Sequence, residues 1–366
     1  MKSYTFKLFV PPQYPQKPFD AKKLNNLLGK SLIYCSRGRH AIYHALRSLN
    51  IRGKVVIPTY SCHTIKDSVI AAGLEYIPCD IDADDLNISF NDFKRICNTT
   101  GNNVECVIVP SLYGNPANLL EFEAYCKEKG IKMIDDGAQS FGAMLDGQYV
   151  STFGNAGLIA FSPGKATPAP MGALLWSEND IDIKRTRHPL VHKLVYQNYM
   201  INRLGAYEEH SDIYKKLIQK AAFFSERLFN IQNDCCSAKE LDILNGSIHA
   251  LFNGLFDFRE KYYERFCLRF SNQTIFSILK SKRGVSVSPK IAILTKDQTT
   301  QKKMSTFLKE KSIETYSGYP LIGNPEDTPI ARRICKNIIE LPIENNSSKM
   351  DYLFDCIENF VKNELE

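Results

Sequence analysis

Three short stretches of this 366-residue chain carry side chains whose types and spacing suit chemistry. In CSRGRHAIYHAL, Gly38, Arg39 and His40 open a helical pattern. The free N–H groups of a helix N-terminus, its positive dipole end and a nearby guanidinium together make a site for a phosphate. In MIDDGAQSFGA, an apolar run finishes on Asp135 and Asp136. A carboxylate at the end of a buried strand can keep a ring nitrogen protonated, as a pyridine electron sink requires. In GLIAFSPGKATP, Lys165 follows a glycine just beyond an apolar run. An amine desolvated at a crevice edge loses basicity and becomes able to form a Schiff base. Each stretch also has an ordinary reading: a plain helix start, a solvated aspartate capping a turn, one lysine among 46 basic residues. For Asp135 the turn-capping reading is the expected one, leaving Asp136 as the candidate for chemistry.

These residues need a scaffold, and the pattern between about 36 and 177 supplies one. Helical spacing in RHAIYHALRSLN, TIKDSVIAAG, SFNDFKRICNTT and NLLEFEAYCKEKG alternates with strand-like runs KVVIP, EYIPCDID, VECVIVPSLYG, IKMID, AGLIAFSP and GALLWS. Repeated strand–helix units predict an α/β fold with a mainly parallel sheet flanked by helices. Ligands of such sheets lie beyond the carboxyl ends of the strands, which places Tyr60, Tyr113, Asp136 and Ser162 on one crevice. Residues 1–240 are expected to form this large domain, with a charged, aromatic helical insert over about 178–230. That insert, which includes Arg185, Arg187, Tyr196, Tyr199 and Arg203, is expected to cover the site or stabilise a dimer. AKELDILNGSIHALFNGLFDFREKYYERF reads as one long helix, and residues 241–366 as a smaller C-terminal α+β domain built on KIAILTK, QKKMSTFLKEKS and MDYLFDCIENFVKNEL.

Bulk properties exclude several classes. The net charge of +6 comes from scattered Lys and Arg, not from a basic stripe, so no nucleic-acid partner is expected. No apolar run approaches the roughly 20 residues of a membrane span. MKSYTFKLFVPPQYPQKPF meets prolines at once and lacks a signal-peptide core, so it reads as mature protein. Eleven cysteines spread along a long chain read as reduced thiols, and a cytoplasmic location follows. Cys235-Cys236 stands apart from other ligands, and no metal is expected.

A phosphate anchor, a ring-nitrogen aspartate and a Schiff-base lysine, in that chain order, are what pyridoxal 5'-phosphate requires. The chain resembles the DegT/DnrJ/EryC1/StrS family of sugar aminotransferases over nearly its whole length. SLYGNPANLLEFEAYCKEKGIKMIDDGAQSFGA, KVVIPTYSCHTIKDSVIAAGLEYIPCDID, FLKEKSIETYSGYPLIG and IIELPI carry the likeness. The resemblance implies the type I fold of pyridoxal-phosphate transferases, and an aminotransferase moving an amino group from L-glutamate to a keto group of a nucleotide-linked deoxy sugar, for amino-sugar or polysaccharide biosynthesis. By the same resemblance, Asp136 binds the pyridine nitrogen and Gln139 lies near the 3'-oxygen. Lys165 forms the Schiff base and then moves the substrate proton. Gly38, Arg39 and His40 stand at the phosphate turn, and Ser162 falls near the family's phosphate-binding serine. Cys62 takes the position of an aromatic residue that stacks on the ring, a contact for which Tyr60 or His63 could substitute. Tyr113 and Tyr319 are the expected substrate contacts. Asn233 matches an asparagine that reaches the other subunit's cofactor, which implies a homodimer with shared active sites.

The chain also departs from that family. ATPAPMGALLW replaces a glycine-rich stretch, Ile322 stands where a histidine often follows Tyr-Pro, and the arginine after the Asn233 position is missing. These changes surround the substrate more than the cofactor, leaving open a non-sugar ketone as acceptor or a non-catalytic pyridoxal-phosphate-binding paralogue. Family members that act as sugar 3-dehydratases carry histidine in place of the lysine, so Lys165 argues against that activity.

Overall fold

The computed structural model describes residues 17–183 except Phe19, Pro163 and Pro170, together with Leu217, Lys220 and residues 238–365 except Pro325. Most of the expected insert, including its five singled-out residues, lies outside the described residues, as do Asn233 and Cys235-Cys236.

A seven-stranded sheet dominates the N-terminal part. Its strands are β1 (Ile33–Cys35), β2 (Lys54–Pro58), β3 (Tyr76–Cys79), β4 (Val104–Pro110), β5 (Lys132–Asp136), β8 (Ala156–Ala160) and β9 (Ala173–Ser177). They lie in the order β1-β9-β8-β5-β4-β2-β3, and β6 (Met144–Leu145) and β7 (Gln148–Tyr149) pair separately. The five strands from β8 to β3 run parallel; β9 is antiparallel to both of its neighbours, so β1 again points the same way as β8. The continuous apolar runs of β2, β4 and β8 follow from burial on both faces. Alternate side chains feed two cores. Val55, Ile57, Ile108, Ile134 and Leu158 pack with α2 (Gly38–Ser48) and α3 (His63–Ala71). Val56, Val107, Val109 and Met133 pack with α4 (Phe90–Asn98) and α5 (Leu119–Lys129). Full burial of each such Val or Ile contributes about 1.5–3 kcal/mol.

A three-stranded antiparallel sheet, β10 (Phe276–Ile278), β11 (Ile291–Thr295) and β12 (Ile338–Leu341), carries the C-terminal core. Around it pack α7 (Phe258–Arg269), α8 (Gln298–Glu310) and α10 (Ser347–Leu365), through Phe266, Met304, Leu308 and Phe354. The long helix expected from the sequence is two: α6 (Ala238–Phe252) and α7, broken where Gly254 adopts φ +74°, a left-handed conformation that ends a helix. Ile243, Leu244 and Ile248 of α6 pack with Leu24 of α1 (Ala21–Leu28), with Ile159 of β8 and with Phe161 just after it. The expected domain boundary at 240/241 therefore falls inside a helix whose apolar face packs on the large sheet.

The two cores are joined by polar contacts. Asp80 accepts the N–H groups of Ile330 and Ala331 at 3.0 and 2.9 Å, capping the first turn of α9 (Pro329–Asn337) from across the junction. Arg283 pairs with the buried Asp85 at 2.5 Å, and Lys282 with Asp84.

Asp135 corrects the sequence reading. It is not a solvated turn residue but belongs to β5 and is fully buried. Its Oδ2 accepts the N–H groups of Ser151 (2.7 Å) and Phe153 (3.1 Å), bracing the turn that leads into β8. Burial outweighs those two donors and pushes its pKa up to about 8. A carboxyl with a higher pKa folded than unfolded favours the native state most below its unfolded value, near ~4. That contribution is lost as pH rises through about 8. Asp135→Asn keeps an acceptor oxygen without the charge. It is expected to gain on wild type in thermal stability between about pH 5 and about pH 9, while Asp135→Ala, which strands two buried donors at about 1–3 kcal/mol each, melts lower throughout. Melting curves of wild type and the Asn variant that stay parallel across that range would contradict this.

Candidate functional site

The carboxyl edge of the large sheet opens on a cleft of about 240 Å³, the scale of a small molecule. Each wall begins where a strand stops. β5 delivers Asp136, then Ala138 and Gln139; β4 delivers Ser111 and Leu112; β8 delivers Phe161, Ser162 and, in the following loop, Lys165. Between Asp136 and Ala138, only glycine fits. A Cβ at Gly137 would stand 1.8 Å from Ser151 Oγ, and the Gly137 N–H donates to Leu158 O at 2.9 Å. Sheet register thus holds Asp136 between Pro110 and Leu158.

Two helix N-termini reach the same cleft. α2 begins at Gly38 with Arg37 as its N-cap in extended conformation and no side-chain cap, and Arg37, Gly38 and Arg39 all line the space. The positive end of the helix dipole and two guanidinium-bearing residues make this end suited to an anion. A Cβ at Gly38 would lie 3.0 Å from Ala160 Cβ, so the turn sits tight against the end of β8. α3 starts after Cys62, whose Sγ lies 3.1 Å from Thr64 Oγ1, and both residues line the cleft.

The same cleft is lined by a carboxylate and an amine, Asp136 and Lys165. Asp136 is 4% exposed and its Oδ1 accepts the Ala138 N–H at 3.0 Å. Burial raises its pKa, while that N–H and Lys165 pull it back. Lys165 is half-buried. Desolvation lowers its pKa most; Cys62, Asp136 and Glu340 act to raise it and Lys290 to lower it further. A buried carboxylate and a poised amine therefore line one small cleft, which suits nucleophilic attack by the amine on a carbonyl and electrostatic hold on a cation.

Of the expected site residues, Gly38, Arg39, Cys62, Asp136, Gln139, Ser162 and Lys165 line this cleft. Others are placed elsewhere. His40 does not line it: the ring is buried and Nδ1 lies 2.6 Å from Ser36 Oγ, because the third residue of the helix turns inward from the N-terminal edge. Neither Tyr60 nor His63 takes the Cys62 position. Tyr60 is fully buried against Tyr113, and His63 is exposed, near Asp67 at 3.8 Å. Tyr113 and Tyr319 do not line it either. Tyr113 is 2% exposed, its hydroxyl donating to Glu340 Oε1 at 2.9 Å, and Tyr319 accepts from Gln139 Nε2 at 2.7 Å. Ile322, in place of the expected histidine, is buried with the α2 and α3 core.

Sequence reasoning missed Arg37 and Thr64, although both sit at helix N-termini next to residues already singled out. It also missed Arg259 of α7, for which the sequence holds no signal. That guanidinium is 8% exposed and its Nη1 donates to Ala166 O at 2.6 Å, fixing the loop next to Lys165 from the C-terminal side. Burial lowers its pKa to about 10.

The family described as the DegT/DnrJ/EryC1/StrS aminotransferase family matches residues 17–354. Among characterised proteins, the chain is 26% identical over 183 residues to a GDP-perosamine synthase of Vibrio cholerae, covering 47% of this chain and 49% of that protein. It is 29% identical over 199 residues to a UDP-N-acetyl-3-dehydro-alpha-D-glucosamine 3-aminotransferase of Acidithiobacillus ferrooxidans, covering 52% and 51%. These matches span about half the length of either relative. The aminotransferase TlmJ of Streptoalloteichus hindustanus has the same fold, with a TM-score of 0.74 at 15% identity over 99% of this chain and 100% of that one.

Proposed function

The chain belongs to the DegT/DnrJ/EryC1/StrS aminotransferase family, and from that premise we propose that it is a pyridoxal-phosphate-dependent aminotransferase acting on a keto group of a nucleotide-linked sugar. The observation that carries this reading is the cleft in which Lys165 and the buried Asp136 lie with an uncapped helix N-terminus flanked by Arg37 and Arg39. The donor set fits the cofactor chemically. Asp136 has one oxygen committed to the Ala138 N–H and suits a cationic ring nitrogen, and the start of α2 suits a phosphate.

Pyridoxal phosphate, when bound, supplies the electron sink for exchange of an amino group between two carbons. Asp136 holds a proton at the ring nitrogen. Lys165 Nζ, made less basic by desolvation, would hold the cofactor covalently and, when free, would act as the base and acid that moves the proton at the reacting carbon of donor and acceptor. Arg37, Arg39, Ser162 and the first N–H groups of α2 anchor the phosphate. Gln139, held by Tyr319 and by the Tyr113 N–H at 3.1 Å, orients the ring's oxygen-bearing edge.

Similarity to a GDP-perosamine synthase and a UDP-sugar aminotransferase supports a nucleotide-linked keto sugar over a non-sugar ketone, and amino-sugar biosynthesis as the setting. The same reading takes L-glutamate as donor, a homodimer in which Asn233 reaches the partner's cofactor, and work in the cytoplasm. Among the described residues no helix is long and apolar enough to cross a membrane. The test loads the enzyme with pyridoxal phosphate and L-glutamate and offers GDP-, UDP- and dTDP-linked keto sugars beside simple keto acids. An aminated nucleotide sugar is the expected product. Turnover of keto acids alone would replace the sugar with a non-sugar acceptor.

A further inference from the structure

Lys165 sits in the loop 161–172 that joins the antiparallel neighbours β8 and β9. Such connections usually take about 2–5 residues, so this one is long for its place. The Phe161 N–H donates to Gly172 O at 2.8 Å, closing its base, and the Lys165 N–H donates to Ser162 O at 3.1 Å, closing a turn. Beyond Lys165 the loop runs inside the protein: Ala166, Thr167, Ala169 and Met171 are all buried. Two helices press on it from the C-terminal side. Phe161 and Ala169 share an apolar cluster with Leu244 and Ile248 of α6, and a Cβ at Gly172 would stand 2.9 Å from Leu244 Cδ1. From α7, Arg259 Nη1 donates to Ala166 O at 2.6 Å, one residue past Lys165.

Arg259 is a poor choice if it only fills space. Its side chain is buried, its Nε has no partner, and its guanidinium carbon stands 4.5 Å from the centre of the Phe256 ring. Among the described residues no carboxylate acts on it, and burial alone lowers its pKa. A buried cation without a counter-ion works against folding, because a carbonyl and an aromatic face offset its desolvation only in part. An apolar side chain of similar length would pack there without that cost. What the guanidinium adds is a rigid, directed donor, aimed at the backbone beside the cleft's amine.

We propose that Arg259 is a positioning residue for Lys165: by holding the Ala166 carbonyl from α7, it fixes the backbone from which the Lys165 amine reaches into the cleft. Apolar packing on α6 holds the far end of the loop, and Arg259 makes the directed contact at the near end. Placement of the amine thus depends on the helices after residue 238 as well as on the large sheet. Arg259 itself does not line the cleft. The proposal rests on the reading of the cleft as the pyridoxal-phosphate site.

The test compares wild type with Arg259→Met, which keeps much of the length and loses the donor. Pyridoxal phosphate is added to the purified chain, samples are reduced with borohydride at intervals, and the peptide carrying modified Lys165 is quantified by mass spectrometry. Fixation is expected to slow by about 10- to 100-fold in Arg259→Met. Pyridoxamine phosphate has an amine in place of the aldehyde and cannot bond Lys165, so its affinity is expected to change by less than about twofold. Equal fixation rates in the two proteins overturn the proposal. So does a matching loss of pyridoxamine phosphate affinity, which would make Arg259 a residue of the fold alone. Arg259→Lys keeps a donor on a flexible stem and is expected to recover part of the rate; a loss as large as that of Arg259→Met also overturns it.

A wild type that fixes no cofactor on Lys165 would remove the reading of the cleft instead. The hold on the loop is then read without cofactor, by hydrogen exchange at the Lys165 N–H, and the same measurement on wild type serves if Arg259→Met fails to fold. Exchange in wild type is expected to be slower than in an open chain by about tenfold or more, and faster in Arg259→Met than in wild type. Open-chain exchange in wild type, or equal exchange in both proteins, overturns the proposal.

Discussion

Lys165→Ala is expected to abolish amino transfer, with turnover falling by about 10³-fold or more, and to remove the visible absorbance that the cofactor acquires when bound to the protein's amine. On the proposed mechanism two roles are lost at once, since the same Nζ would bond the cofactor and carry the proton. The effect is expected to exceed the loss of a surface lysine because Lys165 lines the cleft. Desolvation keeps it poised for attack, Asp136 lines the same cleft, and the Arg259 guanidinium pins the adjacent Ala166 carbonyl. Lys165→Arg, which preserves charge but offers no attacking amine, is expected to be as inactive. Stopped turnover measured with L-glutamate as donor checks both variants. Retained turnover in either would move the chemistry to another residue, and an inactive wild type that still binds the cofactor would favour a non-catalytic paralogue.

Asp136→Asn is the second large effect. Asparagine is nearly the same size and still offers an oxygen to the Ala138 N–H, so the turn after β5 is expected to survive. On the proposed mechanism the change removes the negative charge that a protonated ring nitrogen would meet in a buried setting, where such charge is worth most. Turnover is expected to fall by about 10²- to 10³-fold while cofactor remains bound, the range found when a single preorganised charge-stabilising group is removed. Equilibrium binding of pyridoxal phosphate followed by absorbance, beside turnover on the same preparation, separates the two quantities. Loss of binding with normal turnover per bound cofactor would make Asp136 an anchoring residue and nothing more.

How far the sequence already contained this site depends on which forces placed each residue. Gly38, Arg39, Asp136, Ser162 and Lys165 were legible because each follows directly from a strand or opens a helix, and strand direction alone brings them to one edge. The continuous apolar runs of β2, β4 and β8 likewise announce a doubly covered sheet. Asp135 was misjudged because adjacency to a turn suggests solvent; only the fold shows the Ser151 and Phe153 N–H groups arriving from 16 and 18 residues away. His40 and Tyr113 were assigned to the cleft by neighbourhood, but one more residue along a helix or a left-handed turn points a side chain inward. Lys290 and Arg259 carry no local pattern, and Glu340 shows only as the charged residue of IIELPI. The Tyr113–Glu340 contact spans 227 positions, and such pairs exist only once two cores dock.

Lys165 is the amine proposed to hold pyridoxal phosphate in this cleft. The direct measurement is to incubate the purified chain with the cofactor, reduce with borohydride, digest, and locate the added mass by peptide mass spectrometry. The expected result is a single modified peptide carrying the phosphopyridoxyl group on Lys165, absent from Lys165→Ala. Modification of another lysine, or none at saturating cofactor, would contradict it.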